Sequence, residues 1–243
     1  EQVERSEKDW VFGADTKLIG IGDGVDLTEF LPKGEVQNYG GEKMDCATRG
    51  PINISESVLT FAYQNKIFSE NLRRWLEQKG YVEDGRIYCS DAYNAIISGT
   101  TRRGNSMKAP IESMRKYGLI PKRMLPQRLS SWEEYHNPKR ITQEMFGVGK
   151  ELIQMVSINY DRVFSKDYDE LIKRYLLDLA LYAWTHPIGG IYPATTLDMN
   201  HVVVGVPRER ITIFDNYEDL WDGDFFKRLA PDYRLYEYSY RMV

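Results

Sequence analysis

The chain of 243 residues carries 32 Lys+Arg against 36 Asp+Glu, a net charge of −4, and is 42% hydrophobic. That is the balance of a globular domain with one sizeable core, and it excludes a strongly basic nucleic-acid binder. No apolar run is long enough to span a membrane or to serve as the core of a signal peptide, so neither nucleic acid nor membrane is expected as a partner.

The chain opens on Glu1, which reads as a processed or trimmed start. Residues 1–30 are glycine-rich with only short apolar pieces. They read as an N-terminal arm lying on the domain and suited to assembly partners. Residues 31–243 read as that domain, helix-rich over 46–156 and strand-rich over 182–243. Ile54, Val58, Phe61 and Ala62 recur at helical spacing. Ahead of them Gly50-Pro51 interrupts the pattern, and Asn53-Ile54-Ser55-Glu56 has the form of a capping box. Two starts for this helix are therefore open, one at Cys46 and one at Asn53. Ser69 caps a helix that stops at Gly80, and Asn105 caps one that stops at Gly118. Thr142 begins a helix to about Val156, and Asp167 begins another to about Leu181. From His201 the period becomes two. His201-Val202-Val203-Val204-Gly205-Val206, Ile211-Thr212-Ile213-Phe214 and residues 233–243 read as strands. Helices first and strands last predict an α+β fold with an antiparallel sheet.

Two cysteines, Cys46 and Cys89, cannot make a disulfide framework, and favour a reducing setting such as the cytoplasm over a secreted one. The histidines are His136, His186 and His201, and no zinc-ligand spacing joins them to the cysteines. No metal or other cofactor is expected.

Cys46 follows a polar, glycine-containing loop and precedes a helical stretch. At a helix N-terminus a thiolate is favoured by the dipole and the free N–H groups. His201 lies 155 residues later (201 − 46), and Asp215-Asn216 closes the next strand. Two strands joined by a turn would set His201 beside Asp215. A cysteine, a distant histidine and an acid or amide behind it make a general acyl-transfer arrangement. Asp45 adds a negative charge next to the thiol that would oppose its ionisation.

In order along the chain stand Gln37-Asn38 ahead of Lys43-Met44-Asp45-Cys46, then Ser98-Gly99-Thr100-Thr101-Arg102-Arg103-Gly104-Asn105, then Asn200-His201 through Gly205, and Ile213-Phe214-Asp215-Asn216-Tyr217. This succession resembles the papain-like cysteine peptidases, in the divergent form found in bacteriophage and related microbial sequences. The resemblance covers residues from about 30 to 243. It implies a papain-like fold: an N-terminal helical subdomain and a C-terminal antiparallel sheet or barrel. It implies Cys46, His201 and Asp215 as catalytic residues, with Asn216 as the alternative to Asp215 and an amide able to serve at position 215. Gln37, or its rival Asn38, would bind the oxyanion. Gly104 and Asn105 would lie along an extended peptide, with Gly189, Gly190 and Tyr192 on the facing side.

The function expected is hydrolysis of peptide or amide bonds in a peptide or protein substrate. A weak or inactive papain-like module in a larger assembly such as a virion, and a transglutaminase-like acyl transferase, are the competing readings.

Overall fold

The computed structural model describes residues 24–33, 36–38, 41–127, 131–208, 211–217 and 225–242. Most of the expected arm, residues 1–23, lies outside the described residues. At its end Leu27, Phe30 and Leu31 are buried, and the 3-10 turn Thr28–Phe30 packs on the first helix.

The first helix, α1, spans Cys46–Gln64. It starts at Cys46, so the alternative start at Asn53 is not used. Pro51 sits inside it and removes one i→i−4 bond, and the helix continues because nearly all of its residues are buried. Next comes α2, Glu70–Lys79, capped by Ser69 and ended by Gly80 in the left-handed region, as expected. A small hairpin follows, β1 Val82–Glu83 with β2 Arg86–Ile87, and then α3, Asp91–Ile97. Lys108–Tyr117 forms α4. Its first turn is held by the Ser106 hydroxyl, which accepts from Ala109 N at 3.1 Å. Asn105, the expected cap, instead receives the N–H of Ser106 and donates to Ser98 and Thr100, because it ties a loop together. The short α5, Trp132–Tyr135, precedes α6, Gln143–Met155, capped by Thr142.

Strands dominate from here: β3 Tyr160–Phe164, the single turn α7 Tyr168–Leu171, β4 Leu177–Leu181, β5 Ile191–Tyr192, β6 His201–Val206, β7 Thr212–Phe214, β8 Phe226–Leu229 and β9 Tyr238–Met242. The helix expected from Asp167 to about Leu181 is therefore one turn followed by a strand. The reason is visible in Leu177, Leu179 and Leu181, which alternate with Asp178 and Ala180 and pair with β6. The chain is α+β, with the sheet order β3-β9-β4-β6-β7-β8-β5. Every neighbouring pair is antiparallel except β5 and β8.

One core fills the space between the helices and one sheet face. The other lies on the opposite face around Leu177, Leu179, Val203, Ile213 and Tyr233. Helix α1 lies directly on β4 and β6. The approach is close at Gly50, where a Cβ would overlap the Asp178 carboxyl and meet Val202 Cγ1 at 3.2 Å. Glycine before Pro51 is thus a packing requirement of the helix–sheet contact.

Candidate active site

Cys46 is the first residue of α1 and His201 the first of β6, and α1 packs across β6. This contact brings the ends of both elements together. Cys46 and His201 line the same cleft, the thiol is near enough to act on the imidazole, and Cys46 is half-buried. His201 Nε2 lies 2.8 Å from Asp215 Oδ1. A carboxylate only accepts, so Nε2 carries the proton and Nδ1 is left for the thiol. Antiparallel pairing of β6 with β7 sets Asp215, just past the end of β7, near the start of β6.

Asp215 is fully buried and accepts from three donors. His201 takes Oδ1; Trp184 Nε1, at 3.0 Å, and Lys227 Nζ, at 3.1 Å, share Oδ2. Burial on its own would raise the Asp215 carboxyl, but the neighbouring His201 and Lys227 charges hold it below the usual value of 3.8. For His201, burial acts to lower the imidazole. The Asp215 charge and hydrogen bond outweigh it, with a further contribution from Cys46, and the imidazole is pushed up to about 10. The rings of Trp184 and Tyr217 flank the imidazole, with centroids 5.8 and 5.3 Å away.

The loop before Cys46 is fastened from beneath. Asp45 is completely buried. It pairs with Arg49 Nε at 3.2 Å and accepts from the Tyr135 hydroxyl. Arg49 also pairs with Asp91, at 3.1 Å, in the first turn of α3. The Asp45 charge is therefore paired within the protein. His136 Nε2 lies 2.8 Å from the Lys43 carbonyl, and Met44 adopts φ of 57°. That left-handed residue, unusual for methionine, turns the chain sharply into the helix.

Gln37 is buried and its backbone N–H donates to the Asn216 carbonyl at 2.9 Å. Its amide lies 3.3 Å from the Tyr217 hydroxyl and 3.4 Å from Glu42. Tyr217 itself donates to Glu42. Asn38, the rival, is exposed in a turn. The Asn216 side chain receives Asn53 Nδ2 at 2.6 Å and faces α1, so Asp215 alone meets the imidazole.

Cys46 and His201 open onto a cleft of about 460 Å³. Met44, Gly104, Asn105 and Met107 line it from the helical side, and Ala180, Asn200, Val202 and Tyr236 from the sheet side. Gly104 has φ of 85°, which a tight Thr101–Gly104 turn requires. The expected role of Tyr192 is corrected. Tyr192 is 2% exposed, packs its ring on Trp184 with centroids 5.3 Å apart, and is absent from the residues lining this cleft. Gly189 and Gly190 are likewise absent from that lining. Sequence reasoning missed Trp184, Lys227 and Glu42, which carry no local motif. Tyr217 stands in the Ile213-Phe214-Asp215-Asn216-Tyr217 stretch that carries the resemblance, with no role of its own assigned there.

No protein-family model and no curated protein matches the chain. Solved structures do match. Xylellain, a cysteine protease from Xylella fastidiosa, is 14% identical over 99% of this chain and 98% of its own, with a TM-score of 0.55. Procathepsin L 3 from the larval midgut of Tenebrio molitor is 10% identical over 97% of this chain and 73% of its own, with a TM-score of 0.55. The cysteine protease CMS1MS2 of Carica candamarcensis is 16% identical over 90% of this chain and 97% of its own, with a TM-score of 0.54. The chain shares the papain-like fold of these structures.

Proposed function

We propose that the chain is a thiol-dependent peptidase or amidase that cleaves peptide bonds through Cys46, His201 and Asp215. The observation that carries this reading is the His201–Asp215 hydrogen bond, with Cys46 and His201 sharing one cleft walled by both halves of the fold. His201 Nδ1 takes the thiol proton, and the Cys46 sulfur attacks the substrate carbonyl. The C–N bond breaks as His201 returns the proton to the leaving amine, and water then hydrolyses the thioester. Asp215 holds the ring and stabilises its charged form. Gln37 Nε2, with the Cys46 N–H, binds the developing oxyanion. This amide is held by Tyr217 and Glu42 outside the cleft lining, so the role requires it to turn toward the sulfur when substrate binds. Gly104 offers bare backbone to an extended peptide.

The test is labelling by a peptidyl electrophile that reacts with thiolates. Wild-type protein is expected to be modified once, at Cys46, and Cys46→Ala not at all while keeping its circular dichroism. Gln37→Ala should slow peptide hydrolysis by about 10²–10³. Labelling that persists in Cys46→Ala would overturn the reading, because Cys89 is fully enclosed and should stay silent.

A further inference from the structure

We infer that Lys227 is a positioning residue that works with Asp215 as a matched pair, setting how strongly the carboxylate holds the His201 proton. This deepens the reading above and rests on it.

Lys227 lies on β8, 2% exposed, with Nζ 3.1 Å from Asp215 Oδ2. Its ammonium also donates to the Tyr217 carbonyl and lies 5.5 Å from the centre of the Trp184 ring. Among the described residues, the charged and titratable groups in this neighbourhood are Asp215 and Tyr217 after β7, His201 on β6, Cys46 on α1 and Glu42 on the preceding loop. A lysine taken out of water needs a counter-charge, and among the described residues Asp215 is in contact with it.

Donor counting explains why the pair belongs together. Three N–H donors converge on Asp215: His201, Trp184 and Lys227. A carboxylate has two oxygens and accepts all three. An asparagine would offer one oxygen and turn an NH2 group against the remaining donors. The expectation that an amide can serve at position 215 therefore fails for this chain as long as Lys227 is present.

The charges have a chemical consequence. A bare buried carboxylate would bind the imidazolium too firmly for it to protonate a leaving amine readily. Lys227 offsets that pull from the far oxygen while Oδ1 keeps its hydrogen bond, so the ring stays oriented and the proton stays transferable. Asp215 with Lys227 thereby attracts the imidazolium less strongly than a bare carboxylate would.

The experiment is an NMR titration of the isotope-labelled His201 imidazole in four proteins. The expected order of midpoints is Lys227→Gln highest, then wild type, then the double variant Asp215→Asn/Lys227→Gln, then Asp215→Asn lowest. Each single charge removal should move the midpoint by about one pH unit or more. Lys227→Arg should stay near wild type. A folded Lys227→Gln protein with the wild-type midpoint overturns the inference, because a purely structural lysine would alter stability alone. If buried Lys227 prevents Asp215→Asn from folding, the comparison of Lys227→Gln with wild type still decides. Cys46 alkylation by iodoacetamide, measured alongside, separates the two claims. A wild-type thiol no faster than a free one defeats the peptidase reading, while the imidazole midpoints still report on Lys227.

Discussion

Arg49→Met is expected to destabilise the protein by about 3–5 kcal/mol. The substitution keeps most of the side-chain volume and removes only the charged head. What remains is Asp45, completely buried, and Asp91, nearly so, without their cation. The large cost is that of two stranded carboxylates. Asp45 immediately precedes Cys46, and its backbone carbonyl accepts the N–H groups of Thr48 and Arg49 at 2.8 and 3.1 Å. The loss should therefore appear in function as well as in stability. Urea unfolding measures the first, and the rate of Cys46 alkylation in the folded protein measures the second. Adding Asp45→Asn and Asp91→Asn to Arg49→Met should recover much of the stability, since the stranded charges are then gone. A single variant that unfolds at the wild-type urea concentration would contradict the network.

Asp178→Asn is expected to do the opposite and stabilise the protein at pH 7. Asp178 is fully buried, and neither carboxylate oxygen has a hydrogen-bond partner among the described residues. Burial raises its carboxyl well above the ordinary 3.8. The sign follows from linkage. An acid raised in the folded state favours folding only while the unfolded chain is also protonated, below about pH 4. As pH rises past that point the unfolded chain gains the freedom to ionise and the advantage is lost. At pH 7 the folded state therefore carries the cost of keeping this carboxyl out of water. Asparagine has nearly the same shape and does not ionise. The gain measured by urea unfolding should shrink as pH falls toward 4, and a gain independent of pH would refute the argument.

Both substitutions concern charges packed beneath α1, and they mark where the sequence was readable and where it was not. The succession of Cys46, His201 and Asp215 could be found because each residue stands at the edge of an element with its own local signature: a loop before a helix, a β-branched run, a turn after a strand. The caps Ser69 and Thr142 were readable for the same reason. Residues 167–181 misled because Asp167 resembles a cap and leucines suit either period, and pairing with β6 decided the outcome. Gly50-Pro51 looked like a helix break because the demand for glycine comes from β4 pressing on α1, a contact between residues far apart in sequence. Lys227 and Trp184 were invisible for a related reason. They lie 12 residues after Asp215 and 17 before His201, on segments that only the sheet order brings to the same carboxylate.

The cleft is walled on one side by the start of α1 and on the other by the start of β6, residues 155 positions apart (201 − 46). A small molecule seated between them meets a surface that the unfolded ensemble does not possess. It therefore raises the melting temperature with the logarithm of its concentration, the added stability reaching about 2.7 kcal/mol at one hundred times its dissociation constant. Thermal-shift screening of peptide libraries can thus rank candidate substrates before any turnover assay exists.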